Sequence, residues 1–306
     1  MATGTNRREF LRDAALVAVG AVGSGLFPLS VRGIEPVNSG SDSHIKLSCA
    51  AYSYRKYLTG DSPSMTLADF VDQCAAMNLD ACEPTSYYFP KDITPEYLAG
   101  LKHRAFLGGL DISGTAVANN FALPAGEERD QQIAHVKKWV DYAAALDAPV
   151  IRIFSGSTPK GHTEAEARRW VVEATEECCA YAGRQGVFLA LENHGGLTAT
   201  VEGLLELVKA VQSPWFGVNL DTGNFRNTSD SYADLAKAAP YAITVQVKTE
   251  MKPRGDASVE EADLARVVGI LKGAGYRGYL VLEYEAAADP LNAVPRYCDQ
   301  LRRLIS

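Results

Sequence analysis

The stretch VFLALENHGG, residues 187–196, joins an apolar, strand-forming run to a carboxylate, an amide and an imidazole. An apolar run of this length is typical of a strand that is buried on both faces, as in a parallel sheet. The two glycines that follow it indicate a turn. Glu192, Asn193 and His194 therefore stand where a buried strand is expected to end, and a buried strand seldom ends in charged residues without a functional reason.

Seven further stretches share this strand pattern, and helical patterns separate them. The other strand candidates are IKLSCAAYSY (45–54), LDACEPTS (79–86), LDISGTAV (110–117), PVIRIFSG (149–156), FGVNLDTGN (216–224), AITVQVKTE (242–250) and YLVLEYE (279–285). The clearest helical patterns are LADFVDQCAAM (67–77), QQIAHVKKWVDYAAAL (131–146), residues 173–185 and DLARVVGILKGAG (263–275). Eight strand-then-helix units predict an α/β fold, a (β/α)8 TIM barrel, with residues 44–306 as a single catalytic domain. A doubly wound open sheet is disfavoured, because no G-x-G-x-x-G motif follows the first strand.

Composition limits the classes of partner. The chain has 306 residues, of which 47% are hydrophobic, and a net charge of -7. Because the body of the chain contains no basic cluster, we expect no nucleic-acid partner and favour a small polar or neutral ligand. The six cysteines do not form the pattern of a disulfide framework. Cys49, Cys74, Cys82 and Cys298 are expected to be small buried residues, and the adjacent Cys178 and Cys179 are not expected to bind a metal ion. The sequence leaves a homo-oligomer open.

The amino terminus has a different character from the rest of the chain. Arg7 and Arg8 precede a weakly apolar run at residues 14–29, and this arrangement resembles a twin-arginine export signal at residues 1–32. Residues 33–43 have the composition of a linker. The resemblance implies the twin-arginine translocase as a partner and a periplasmic or exported protein. An uncleaved membrane anchor and an ordinary helix are the alternatives, but the run is shorter than the roughly 20 apolar residues of a spanning helix.

Four consecutive predicted strands, the fifth to the eighth, carry polar side chains at or near their ends. They are Glu192, Asp221, Gln246 and Glu283. In a TIM barrel the carboxyl-terminal strand ends form the catalytic rim, so these side chains are expected to converge at one side of its mouth. The residues two positions further along are expected on the same face, nearer the solvent. They are His194, Gly223, Lys248 and Glu285.

Three carboxylates in one barrel mouth require a compensating charge. Without a cation they would repel one another and could not all remain ionised. A divalent metal ion provides that charge, and the four oxygen-bearing side chains favour a hard ion such as Mn²⁺ or Mg²⁺ over Co²⁺ or Zn²⁺. The alternative is that each acid is paired with an arginine or caps a helix.

The pattern LENH, NLDTGN, VQVK and LEYE resembles the sugar phosphate isomerase/epimerase family, which has a xylose-isomerase-like barrel, from about Ile45 to the end of the chain. The resemblance implies that one divalent metal ion is held by four residues, namely Glu192, Asp221, Gln246 and Glu283. It also implies that Glu192 and Glu283 form the catalytic acid/base pair. Gln246 matches the variant found in hydroxypyruvate-isomerase-like members. Asn224 follows the DTG motif, where many relatives carry histidine.

These residues predict a metal-dependent isomerase or epimerase of a free or keto sugar. Proton abstraction beside a carbonyl would give an enediolate, and a proton would then be returned. The predicted substrate-binding residues are His194, Lys248, Glu83, Arg152 and Asn224. Hydrogen-bonding roles in the framework are the alternative for His194 and Lys248. For Glu83 and Arg152 the alternative is a salt bridge, either with each other or with the framework.

The sequence leaves two other functions open and disfavours a third. A keto-glycoside lyase would use the same residues for β-elimination, and a periplasmic sugar-binding protein would bind without catalysis. A zinc endonuclease is disfavoured, because its metal site draws on many histidines and the chain has five. Export favours free or keto sugars as substrates, since sugar phosphates are held in the cytoplasm.

Overall fold

The computed structural model of the protein describes residues 35–37 and 42–306. The export signal predicted at residues 1–32 lies outside the described residues, as does most of the linker predicted at residues 33–43. In the part of the chain that is described, no helix has both the length and the apolar character needed to cross a membrane.

The described strands follow the eight predicted units closely. They are β1 (His44–Ala50), β2 (Ala81–Glu83), β3 (Asp111–Ile112), β4 (Thr115–Ala116), β5 (Val150–Ile153), β6 (Phe188–Glu192), β7 (Phe216–Asp221), β8 (Ala242–Val247), β9 (Glu250–Met251), β10 (Glu260–Glu261) and β11 (Arg277–Leu282). Nine of them form one sheet in the order β3-β2-β1-β11-β8-β7-β6-β5-β4, and its neighbouring strands are parallel. β9 and β10 pair separately as an antiparallel ribbon.

The sheet closes on itself through its third predicted strand. That strand is two pieces, β3 and β4, separated by Ser113 and Gly114, and the pieces occupy the two ends of the sheet order. Glycine is needed at the break, because a Cβ on Gly114 would lie 2.9 Å from a methyl carbon of Val150 on β5. A sheet whose two ends are consecutive in the chain is a closed barrel, so the predicted (β/α)8 fold is confirmed and the prediction of one continuous third strand is wrong.

Helices surround the barrel. The α-helices are α1 (Arg55–Leu58), α2 (Leu67–Ala76), α3 (Pro95–Leu107), α4 (Glu127–Ala145), α5 (Glu164–Arg184), α6 (Val201–Ala210), α7 (Ser231–Ala238), α8 (Leu264–Gly273) and α9 (Pro290–Ile305). Short 3₁₀ helices cover Ala51–Tyr54, Ser86–Tyr88, Gly196–Thr198 and Ala239–Tyr241. α5 begins well before the predicted residue 173, because Thr163 and Glu166 form a reciprocal capping box at its amino terminus.

A continuous apolar cluster lies between the barrel and its helices and holds them together. Phe70 of α2, Val136 of α4 and Leu204 of α6 are among its fully buried members. All six cysteines are buried free thiols, which confirms the expectation that the chain has no disulfide framework. Burial raises the pKa of Cys82 to about 12, so this thiol is a packing residue at neutral pH.

Strand register determines which side chains meet at the mouth. Glu192 of β6 is in register with Asn219 of β7, and Asp221 of β7 is in register with Gln246 of β8. Registered residues of parallel strands point to the same face, and Gln246 reaches Glu83 of β2 across the interior. These side chains therefore point into the barrel, at the carboxyl-terminal ends of its strands.

Candidate active site

The structure places the four predicted metal ligands at one edge of the barrel. Glu192 and Asp221 are the last residues of β6 and β7, Gln246 is the penultimate residue of β8, and Glu283 directly follows β11. The residues are buried, with exposed fractions of 3%, 0%, 1% and 6% respectively. They come from neighbouring strands of the sheet, as the sequence predicts.

The turn after β6 is built by residues adjacent to Glu192. The Asn193 side chain donates to the Asp221 carbonyl at 2.9 Å and accepts from the Asp221 amide at 2.8 Å, so it clamps β6 to β7. Gly195 adopts a φ of 71°, in the left-handed region that favours glycine. The Thr198 hydroxyl then donates to the Glu192 carbonyl at 2.9 Å. These contacts hold the end of the strand, and with it the Glu192 carboxylate, in one position.

Glu192 is held through both carboxylate oxygens. The Arg152 guanidinium lies 2.9 Å from Oε2, and the Asn224 amide donates to Oε1 at 3.0 Å. The ion pair of Arg152 is therefore made with Glu192, and not with Glu83 as one alternative had it. Burial raises the pKa of Glu192 to about 7, although Arg152 acts in the opposite direction. A carboxyl group with this pKa exchanges protons near neutral pH.

Lys248 stands among three carboxylates. Its Nζ is 3.3 Å from Asp221, 2.8 Å from Glu283 and 2.6 Å from Glu285. Burial by itself lowers the pKa of Lys248, but the three carboxylates raise it well above its ordinary value, so the side chain is an ammonium ion. Burial raises the pKa of Asp221 to about 7, and Lys248 acts against that change.

Gln246 is fixed by hydrogen bonds on both sides of its amide. Its Nε2 donates to Glu83 at 2.9 Å, and its Oε1 accepts from Asn219 at 2.8 Å. Burial and the charge of Glu283 raise the pKa of Glu83 to about 7, while the bond from Gln246 acts in the other direction. Glu83 therefore contacts Gln246, a predicted metal ligand, and can fix the orientation of its side chain.

An aromatic wall borders the mouth. The Arg152 guanidinium donates to the Tyr87 hydroxyl at 3.1 Å and lies 4.0 Å from the ring centre of Phe154. The ring of Phe154 is 4.4 Å from that of His194, and Tyr52 meets Tyr87 edge-on at 6.3 Å. Desolvation and the charge of Arg152 lower the pKa of His194 below its ordinary value, which keeps the imidazole neutral. His194 also borders a cavity of about 250 Å³.

Sequence reasoning missed several residues of this site, among them Asn219, Tyr52, Tyr87 and Phe154. Asn219 is fully buried beside Gln246, and its signal was available, because it is the polar residue within the apolar run FGVNL. Tyr52 and Tyr87 follow the ends of β1 and β2, and nothing in their local sequence separates them from other loop tyrosines. The predicted substrate-binding residues His194, Lys248, Glu83, Arg152 and Asn224 are all brought to this mouth.

The side chains at the mouth offer the oxygen donors that a hard divalent ion needs. Within the part of the chain that the structure describes, four buried carboxylates face two buried cations, Arg152 and Lys248. There Asp221 Oδ2 accepts no hydrogen bond, although Lys248 Nζ lies 3.3 Å from it. Oxygen donors and excess negative charge fit Mn²⁺ or Mg²⁺. Among the described residues, however, no group of three or more His, Cys, Asp or Glu side chains is arranged to hold a metal ion. The Lys248 ammonium lies between two of the four predicted ligands, and the metal site stays a prediction.

Comparison with known proteins supports the fold. Residues 71–304 match the family described as "Xylose isomerase-like TIM barrel". The chain is similar to D-psicose 3-epimerase from Clostridium cellulolyticum, with 17% identity over 85% of this chain and 99% of that chain, and a TM-score of 0.70. It is similar to 3-keto-D-glucoside 4-epimerase from E. coli, with 13% identity over 85% of this chain and 99% of that chain, and a TM-score of 0.66.

A third similar structure is a xylose isomerase domain protein from Planctomyces limnophilus, with 16% identity, coverage of 87% of this chain and 97% of that chain, and a TM-score of 0.63. At these identities the likeness shows a shared fold. No match to the sequence was found among curated proteins.

Proposed function

Because the chain belongs to the xylose isomerase-like TIM barrel family, we propose that it is a divalent-metal-dependent isomerase or epimerase of a free or keto sugar. One observation carries the proposal. Two buried glutamates, Glu192 and Glu283, lie at the same barrel mouth with β7 and β8 between their strands, and each contacts a buried cation. The similar structures named above include two sugar epimerases, one of which is named for a keto sugar.

The residues that would hold the metal ion are Glu192, Asp221, Gln246 and Glu283. The chemistry that a bound ion supplies is polarisation of a sugar carbonyl and stabilisation of negative charge on its oxygen. Mn²⁺ and Mg²⁺ suit the oxygen donors best, and Co²⁺ or Zn²⁺ would compete for them.

The two glutamates move the protons. One carboxylate removes a proton from the carbon beside the carbonyl, and the electron pair left behind gives an enediolate. The second glutamate then returns a proton. Return to the opposite face of the same carbon gives the epimer. Return to the neighbouring carbon gives the isomer, once the hydroxyl proton has passed to the other enediolate oxygen, so that carbonyl and hydroxyl exchange places. The pKa of about 7 suits Glu192 to both accepting and donating a proton near neutral pH.

The remaining residues of the mouth position the catalytic groups and the sugar. Arg152 and Asn224 hold the Glu192 carboxylate in one orientation. His194, which borders the cavity of about 250 Å³, is placed to bind sugar hydroxyls. We propose that the substrate is met outside the cytoplasm, since Arg7 and Arg8 resemble a twin-arginine signal.

The test is solvent exchange at carbon. The protein loaded with Mn²⁺ is incubated in D₂O with a panel of free and keto sugars, and NMR detects deuterium at carbon. Glu192→Gln and Glu283→Gln should each retain metal and lose turnover by about 10²- to 10⁴-fold, the effect of a positioned acid or base. Glu202→Gln is the matched control, because this side chain is 74% exposed, and it should leave turnover unchanged.

Each outcome separates one function from the others. Deuterium in an intact sugar supports the isomerase or epimerase. Loss of an aglycone would identify a keto-glycoside lyase that uses the same glutamates. Normal turnover in both glutamine variants would contradict the paired-carboxylate mechanism. Sugar binding without exchange by the wild-type protein would identify a binding protein.

A further inference from the structure

Lys248 makes contacts that a substrate-binding residue does not need. Its ammonium touches Asp221 and Glu283, two of the four predicted metal ligands, and the whole residue is only 6% exposed. An ammonium ion in this position neutralises the carboxylates that would otherwise repel one another. Lys248 therefore already performs, in part, the electrostatic role that was assigned to a metal ion.

The backbone nearby is shaped to admit this lysine. A Cβ on Gly223 would lie 2.7 Å from Lys248 Cγ, so any larger residue there would displace the side chain from its path to the carboxylates. Gly223 comes two residues after Asp221, in the turn that follows β7. The glycine thus gives Lys248 access to the buried acids.

Space and a second anion are available for the ammonium to move away. Lys248 and Glu285 line the same cavity of about 140 Å³. Glu285 already forms an ion pair with Lys248 at 2.6 Å, and the Glu285 side chain is 36% exposed.

We propose that Lys248 is a tethered counter-ion, which neutralises Asp221 and Glu283 while no divalent ion is bound, and which leaves these two acids but keeps its ion pair with Glu285 when one binds. This inference rests on the metal dependence of the proposed function. It explains how a cluster of buried acids folds stably before it is loaded. Lysine and metal compensate the same charges, so each should contribute less when the other is present.

A purely structural lysine would behave differently. It would stabilise the metal-free and the metal-loaded protein by the same amount, and its removal would leave metal affinity unchanged or weaker. The two roles therefore differ in the coupling between the lysine and the metal.

The experiment measures that coupling with Mn²⁺ as the probe. Melting temperatures are recorded for wild type and Lys248→Met, with and without Mn²⁺, and Mn²⁺ affinity is measured by titration calorimetry. Lys237→Met is the matched control, because Lys237 also contacts two carboxylates, Asp234 and Glu202, while its own side chain is 53% exposed. Should Lys248→Met not fold, Lys248→Gln takes its place, since it keeps a hydrogen-bond donor without the charge.

We expect the metal-free Lys248→Met protein to melt roughly 5 to 10 °C below wild type, and Mn²⁺ to remove most of that difference. The Kd for Mn²⁺ should tighten by about 10- to 100-fold, the range over which outer residues tune metal sites. The control should change neither quantity.

An equal melting-temperature loss with and without Mn²⁺, or an unchanged or weaker Kd, would overturn the role given to Lys248. If solvent exchange at carbon still requires Mn²⁺ in the wild type, the proposed function survives that result. If neither wild type nor Lys248→Met binds a divalent ion, both the inference and the metal dependence fail.

Discussion

Removing Arg152 should unpair the Glu192 carboxylate inside the protein. Arg152 is 5% exposed and its Nε lies 2.9 Å from Glu192. It also donates to the carbonyl of Val117 and to the hydroxyl of Tyr87, each at 3.1 Å. In Arg152→Met the apolar side chain fills much of the space, so the main loss is the positive charge.

The size of the effect depends on pH. At pH 8 the substitution leaves a buried acid without its partner, which must either stay ionised in the interior or take up a proton that the unfolded chain does not carry. Removing one partner of a buried pair costs about 3 to 5 kcal/mol. Burial already raises the pKa of Glu192 to about 7, and the loss of Arg152 raises it further. The stability linked to an acid with a raised pKa is present below its unfolded pKa, about 4.3, and is lost as pH rises through the folded pKa.

At pH 5 Glu192 is therefore protonated in the folded variant, and the cost should fall. What remains is the loss of the hydrogen bonds to Val117 and Tyr87, roughly 1 to 3 kcal/mol in total. The variant should thus be much closer to wild type in stability at pH 5 than at pH 8.

Urea unfolding at both pH values measures this difference. Unfolding of Glu192→Gln and of the variant with both substitutions completes a double-mutant cycle, which isolates the interaction between Arg152 and Glu192. The control is Arg104→Met, whose bidentate pair with Asp72 is about half exposed and should contribute about 0 to 1 kcal/mol. A loss below about 1 kcal/mol at pH 8, or the same loss at both pH values, would refute the reasoning.

Two further predictions concern the whole chain. The metal-free protein should lose stability between pH 5 and pH 8, because burial raises the pKa of Glu83, Glu192 and Asp221 to about 7. The stability linked to each of these acids is lost as the pH rises through its folded pKa. For Glu83 alone, a rise from 4.5 to about 7 corresponds to about 3 kcal/mol. Urea unfolding would contradict this if stability stayed level or rose. Replacing Arg7 and Arg8 together by lysine should strand the folded protein in the cytoplasm, and an unchanged periplasmic yield in cell fractionation would speak against the export signal.

Local sequence patterns determined the barrel and the position of its acids. Apolar runs such as VFLAL, each followed by a helical pattern, are local properties, and eight such units have few ways to bury their strands. The acids were found because the carboxyl-terminal ends of parallel strands share one edge. Helix starts were less accurate, since α5 depends on the side-chain cap between Thr163 and Glu166.

Only the tertiary structure decided which charges meet. The sequence placed Arg152 and Lys248 on strand ends, but it could not show that Arg152 pairs with Glu192, or that Lys248 reaches Asp221 and Glu283. These pairings depend on the stagger between neighbouring strands and on side-chain conformations. Both are set by closure of the barrel, a property of the whole chain that no local pattern encodes.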